Sequence, residues 1–166
     1  MKKQEKANQS LALCFYQQEQ HYEAVKAFQL SEQQQKFVAL PKEALQDCYI
    51  DKKRRPVVII AEDTVVGFFV LHVGNNIRSF TDNPQAVLLR ALSINQMYQG
   101  NGYGKQAMSM IPTFVLTHFE QVNEIVLAVN EKNNTAKRMY EKAGFQDLGR
   151  RRQGDKGRQH ILHYRL

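Results

Sequence analysis

The chain has 166 residues, 43% hydrophobic and 23% charged, with 23 lysines and arginines against 16 acidic residues and a formal net charge of +7. That length suits a single domain spanning 1–166 with a substantial core, and the composition suits a soluble globular protein. No apolar stretch approaches the roughly 20 residues of a membrane span, and Met1-Lys2-Lys3 leads into no signal-peptide apolar segment, so a cytoplasmic protein is expected.

Taken in chain order, residues 10–16 alternate apolar and other side chains and predict a strand. A helix follows at about 20–29, where Tyr22, Val25 and Phe28 recur at helical spacing. Ser31 is placed as the N-cap of a helix near 32–39, and Pro41 suits the first turn of another at about 42–50. The β-branched run within Pro56–Ala61 predicts a buried strand, turned at Glu62-Asp63 into a second strand, Val65–Val73. A strand at 86–95 precedes a helix from about 102 to 119, with Ala107, Met108, Ile111, Val115 and Phe119 inward. Pro112 should kink or split that helix. Glu124–Asn130 reads as a strand, Asn134–Ala143 as a helix capped by Gly144, and 145–150 with 159–166 as a closing hairpin around Gly154-Asp155-Lys156-Gly157. Mixed α/β is the resulting class.

Cys14 and Cys48 form no CxxC pair and the five histidines have neither HxxxH nor HExxH spacing, so neither a disulfide scaffold nor a metal site is expected. Cations cluster in two places: Asp51–Arg55, and the tail with Arg150, Arg151, Arg152, Lys156, Arg158 and Arg165 against Asp147 and Asp155. A basic surface attracts polyanions, a phosphorylated cofactor among them; charge alone does not single out nucleic acid.

The most informative segment is Gln99-Gly100-Asn101-Gly102-Tyr103-Gly104-Lys105, between a strand and a helix. A glycine-rich turn there exposes backbone N–H groups at the positive end of a helix dipole, a seat for phosphate oxygens. A P-loop needs Ser or Thr after Gly-Lys, and Gln106 stands there. Gly102-x-Gly104-x-x-Ala107 fits a dinucleotide fingerprint, but Glu131 lies beyond the spacing of about 20 residues expected of its ribose acid. A third reading uses more residues. Gln99-x-x-Gly102-x-Gly104, with Asn133-x-x-Ala136-x-x-x-Tyr140-x-x-x-Gly144-Phe145 downstream, resembles the two motifs of the GNAT (GCN5-related) N-acetyltransferases, the Q/R-x-x-G-x-G/A turn being the first.

That resemblance covers about 86–145. It implies a GNAT-type fold: a central mixed, mostly antiparallel sheet of about seven strands, flanked by about four helices, with splayed central strands. It further implies acetyl-CoA as cosubstrate and a primary amine of a small molecule or peptide as acceptor. Pantetheine would pair with backbone at Leu92 and Ile94. The amides from Gly100 through Asn101, Gly102, Tyr103, Gly104 and Lys105 would hold the pyrophosphate, with Gln99 adding a side-chain contact. Asn133 would contact the pantetheine, cap its helix, or both. Tyr140 matches the position that donates a proton to the departing sulfur, and a phenol with a pKa near 10 stays protonated at neutral pH. The general base stays open: the place where some relatives carry glutamate falls near Leu88, and Glu43, Asp47, His72 or backbone carbonyls could relay a proton through water. Arg90, on the same strand face, could hold a carboxylate or phosphate of the acceptor, or pair with Glu19 or Glu23. Homodimers are common in the family. A basic RNA- or ribosome-associated module, an acyl-CoA sensor without catalysis, and a nucleotide-dependent oxidoreductase are the rival readings.

Overall fold

The computed structural model describes residues 10–166. Seven strands, β1 (Leu11–Phe15), β2 (Arg54–Ala61), β3 (Thr64–His72), β4 (Ala86–Ile94), β5 (Glu124–Asn130), β6 (Gln146–Gly154) and β7 (Gly157–Arg165), form one sheet in the order β1-β2-β3-β4-β5-β7-β6. Only β4 and β5 run parallel; every other neighbouring pair is antiparallel. Helices α1 (Gln18–Lys26), α2 (Glu32–Gln35) and α3 (Pro41–Ile50) lie between β1 and β2, α4 (Tyr103–His118) between β4 and β5, and α5 (Asn134–Lys142) between β5 and β6. This is the mixed, mostly antiparallel α/β sheet expected from the sequence. Among the described residues no helix is long and apolar enough to cross a membrane.

Strand alternation separates the core into two faces. Val57, Ile59, Phe69, Leu71, Val87 and Leu89 pack against Ala107, Met108, Ile111 and Val115 of α4. Val58, Phe68 and Val70 point the other way, onto Val25 of α1 and Leu45 and Cys48 of α3. Phe119, expected on the inner face of α4, is its C-cap and packs partly buried against this core, and Tyr103 and Phe114 also join that face.

Local chemistry sets the element boundaries, with several departures from expectation. α2 is one turn rather than a helix to residue 39, although Ser31 is its N-cap as expected and builds a full capping box with Gln34. α4 runs through Pro112 undivided. Gly144 is the residue after the C-cap, at φ +103°, and Ala143 is the cap itself. The amides of Gly144 and Phe145 donate to the carbonyls of Glu141 (3.0 Å) and Tyr140 (3.1 Å), closing α5 in a Schellman motif. The last hairpin turns at Asp155-Lys156 as expected, but its strands are longer than expected, because pairing continues to Gly154 opposite Gly157.

Candidate active site

The parallel pairing of β4 with β5 runs from Ala86 opposite Glu124 to Leu89 opposite Leu127, and stops. At that point β4 bulges: its register against β3 shifts between Val70–Arg90 and Phe68–Ser93, and Ala91 sits at φ +57°. A left-handed alanine re-aims the strand. Residues 90–94 follow β3 and leave β5, opening a cavity of about 320 Å³ whose walls include Leu92, Ala128, Asn130 and Tyr140. The splayed central strands therefore arise from one backbone irregularity.

Leu92 lines this cavity; Ile94 does not, but stands two residues further along the same strand. Hydrogen-bonded and non-hydrogen-bonded pairs alternate along an antiparallel ladder. Since the Asn95 amide donates to Val66 O (2.8 Å), Ile94 opposite Gly67 turns its own amide and carbonyl away from β3. The carbonyl of Ile94 accepts from Gln99 Nε2 at 2.9 Å, and the same nitrogen donates to Gln34 Oε1 at 3.1 Å. Gln99 thus ties the glycine turn to the edge of β4 and to α2.

The turn has the expected open backbone. Gly100 and Gly102 sit at φ +82° and +79°, and Gly102 is the N-cap of α4. Nothing lies within 4 Å of a Cβ placed on either, so conformation and not space demands glycine here. At Gly104 a Cβ would meet only Met139 Sδ at 3.6 Å and Ile94 Cγ1 at 3.7 Å, ordinary contacts. The amides of Gly100, Asn101, Gly102, Gly104 and Lys105 donate to no backbone carbonyl among the described residues. Asn101 Nδ2 braces the turn by donating to Tyr98 O (2.9 Å), while the Tyr103 side chain is buried in the core. Lys105 lines a second groove, between α4 and α5, with Arg138 and Lys142.

α5 carries the two residues of the second motif. Asn133 is its N-cap, the side-chain oxygen accepting from the Ala136 amide at 3.3 Å. Lys137 Nζ donates to Asp147 Oδ2 at 2.9 Å and fastens the helix to β6. Hydrogen bonds from Arg151, the Gly149 amide and Lys137 hold the Asp147 carboxyl well below the usual carboxylate range. Tyr140 is half-buried, its ring 6.2 Å from that of Phe145, and its hydroxyl has no hydrogen-bond partner among the described residues. Burial pushes its phenol up to about 12.

Arg90 enters the cavity from β4. It pairs with neither Glu19 nor Glu23: Nη1 lies 3.1 Å from His72 Nδ1. Burial, then the nearby Arg54, pushes its guanidinium below the ordinary arginine range. His72 is fully buried, and burial together with Arg54 and Arg90 lowers it to about 4. Nδ1 therefore accepts from Arg90 and the ring hydrogen sits on Nε2, 3.2 Å from Asp51 Oδ2. With Nδ1 so engaged, His72 is a poor proton relay. Of the carboxylates weighed as relays, Asp47 lines the cavity and Glu43 does not.

Sequence reasoning missed Phe80, Arg54, Arg152 and Asp155 as cavity residues. They come from three separate segments, β2, the stretch before β4 and the β6–β7 hairpin, that share no motif. The basic tail was visible, but not that Arg152 alone among its arginines lines this cavity. Among the described residues no group of three or more histidines, cysteines or carboxylates could hold a metal.

Residues 15–145 match the model of the Acetyltransferase (GNAT) family. The chain is 43% identical over 159 residues to the uncharacterized N-acetyltransferase YbbJ of Bacillus subtilis (strain 168), covering 95% of this chain and 99% of that one. Its fold is shared with the aminoglycoside acetyltransferase AAC(6')-Ib in complex with coenzyme A (TM-score 0.72, 16% identity, 94% of this chain and 95% of that one). It is shared too with spermidine N-acetyltransferase from Vibrio cholerae in complex with CoA and spermine (TM-score 0.66, 16% identity, 93% and 95%).

Proposed function

We propose, from the premise that this chain belongs to the acetyltransferase (GNAT) family and is an acetyl-CoA-dependent N-acetyltransferase, that it acetylates a primary amine of a small molecule or peptide in the gap between β4 and β5, with Tyr140 as general acid. The observation that carries this reading is a coincidence at one gap. Strand pairing ends after Leu89 and Leu127, open amides cluster at the turn just beyond β4, and a phenol stands in the wall.

Bound acetyl-CoA supplies a thioester: the acceptor nitrogen bonds to its carbonyl carbon, the carbon–sulfur bond breaks, coenzyme A leaves as the thiol, and the surplus proton of the acceptor ammonium goes to solvent. The amides of residues 100–105 and the N-terminus of α4 hold the diphosphate. Lys105, Arg138 and Lys142 suit the remaining phosphate. Backbone groups of Leu92 and Ile94 orient the pantetheine as an added strand does, and Gln99 yields the Ile94 carbonyl to it. An amide of that edge donates to the carbonyl oxygen as negative charge builds there. Asn133 fixes the start of α5 and so the position of Tyr140.

A phenol held near 12 stays protonated across the working range. It passes its proton only as charge develops on sulfur, being a weaker acid than a free phenol, and regains one through solvent from the second proton lost by the acceptor nitrogen. The acceptor's surplus proton leaves through water beside Asp47 or Asp155, the carboxylates on the cavity wall.

The test is calorimetric titration with coenzyme A, followed by thiol release from acetyl-CoA across a panel of amines. Binding with turnover is expected. Absence of coenzyme A binding would defeat the reading; binding without turnover on any amine would leave an acyl-CoA-binding module.

A further inference from the structure

Four cationic side chains line the gap, Arg54, Arg90, Arg152 and Lys156, against two carboxylates, Asp47 and Asp155. Arg54 is committed to Asp47 at 3.5 Å and Asp51 at 3.7 Å. Lys156 Nζ donates to Gln35 O at 2.6 Å, which holds its charge toward α2. The other two guanidiniums have only neutral partners. Arg90 reaches His72. Arg152 donates from Nε to Ser79 Oγ at 3.1 Å and from Nη1 to Gln159 Oε1 at 3.0 Å. Among the described residues neither has a carboxylate partner.

These two arginines come from opposite sides of the splay, β4 and β6, and converge on one ring. The guanidinium carbon of Arg90 lies 5.8 Å from the Phe80 centroid and that of Arg152 lies 4.0 Å from it. Phe80 itself is buried and lines the cavity. Stacking on a ring fixes a guanidinium plane without neutralising it. Like charges held near each other with burial repel, and that repulsion is relieved when an anion enters between them. A neutral His72, the hydrogen-bond partner of Arg90, keeps the charge of Arg90 directed into the cavity while fixing its position.

We infer that the acceptor is a primary amine that also carries an oxyanion, a carboxylate or a phosphate monoester, bound between Arg90 and Arg152. This rests on the acetyl-transfer reading of the same cavity. The oxyanion is gripped at the arginine end, the amine of the same molecule extends toward the thioester, and its nitrogen gains the acetyl group as coenzyme A departs as the thiol. Polycationic amines, such as those named for two of the structural neighbours, meet repulsion here.

The experiment compares glutamate, glycine, phosphoethanolamine, spermidine and kanamycin as ligands and acceptors of the coenzyme A-saturated or acetyl-CoA-supplied protein, with inorganic phosphate as the smallest probe. Coenzyme A affinity is measured in parallel. At least one anionic amine should bind and be acetylated, and the carboxylate and phosphate arms identify which oxyanion is preferred. Arg90→Gln and Arg152→Gln should each raise the acceptor KM roughly tenfold to a hundredfold, as loss of a charged hydrogen bond does, with kcat far less affected and coenzyme A affinity unchanged. Should Arg90→Gln fail to fold, Arg152→Gln carries the test alone. Preference for spermidine or kanamycin over every anionic amine, or failure of all anionic probes to bind the coenzyme A-saturated protein, would overturn the inference. Failure of coenzyme A itself to bind would overturn both this and the acetyl-transfer reading.

Discussion

The two ends of the gap are made of different material. At the glycine turn the proposed binding groups are main-chain amides, with Gln99 and Asn101 bracing the loop and Tyr103 filling the core. At the far end, side chains from β2, β4 and β6 line one cavity, and Arg90 and Arg152 meet on Phe80. A backbone site tolerates change wherever the chain can keep its conformation. A side-chain site changes its ligand with one substitution. The first suits a ligand common to a family and the second an acceptor particular to this chain.

Four perturbations separate these ends, the largest effect first. Tyr140→Phe removes the proposed acid where the two ends meet; turnover should fall on the order of 10²-fold or more, with coenzyme A affinity unchanged by calorimetry. Unchanged turnover would remove Tyr140 from the chemistry.

Lowering the pH should strike the acceptor end first. His72 is held neutral, its pKa lowered to about 4 against an unfolded value near 6.5. The unfolded chain therefore binds the extra proton between those values, and stability falls as pH drops from about 6.5 toward 4, by about 3 kcal/mol in all. Thermal melts across that range should show the decline. His72→Gln should flatten it, and a slope unchanged by that substitution would assign the effect elsewhere.

Gly102→Ala forces a Cβ onto a residue at φ +79° and costs about 1–2 kcal/mol. Coenzyme A should bind about tenfold more weakly, while the acceptor KM at saturating acetyl-CoA stays put. A shift in both would mean the ends are not independent.

The smallest effect is expected from Asn133→Ala, which removes the α5 cap and about 1 kcal/mol of stability. Asn133→Ser should restore the melting temperature. If coenzyme A affinity returns with it, Asn133 acts as a cap alone; if affinity stays low, it also touches the pantetheine.

The same division explains what could be read in advance. Strands with β-branched runs such as Val57–Ile60, and the glycines at 100 and 102, carry their conformation in local residue type, so the sheet and the turn were legible. The length of α2 was not, since a strong capping box starts a helix without saying where it ends. Nor was the continuity of α4 through Pro112, where core packing outweighs local propensity. Arg90 was legible as a candidate because strand alternation pairs it with Leu88. Its partner across the gap was not, because Arg152 lies in a run of three arginines whose facing is set by pairing with β7. Residues brought together by topology leave no trace in spacing.

Ala91 at φ +57° turns β4 away from β5 through its own backbone conformation. The seam between the fourth and fifth strands is left unsewn by the chain itself, so an incoming molecule need not pry the halves apart. A glycine in that position would ease the local contortion and, by the same relaxation, let the parted strand wander.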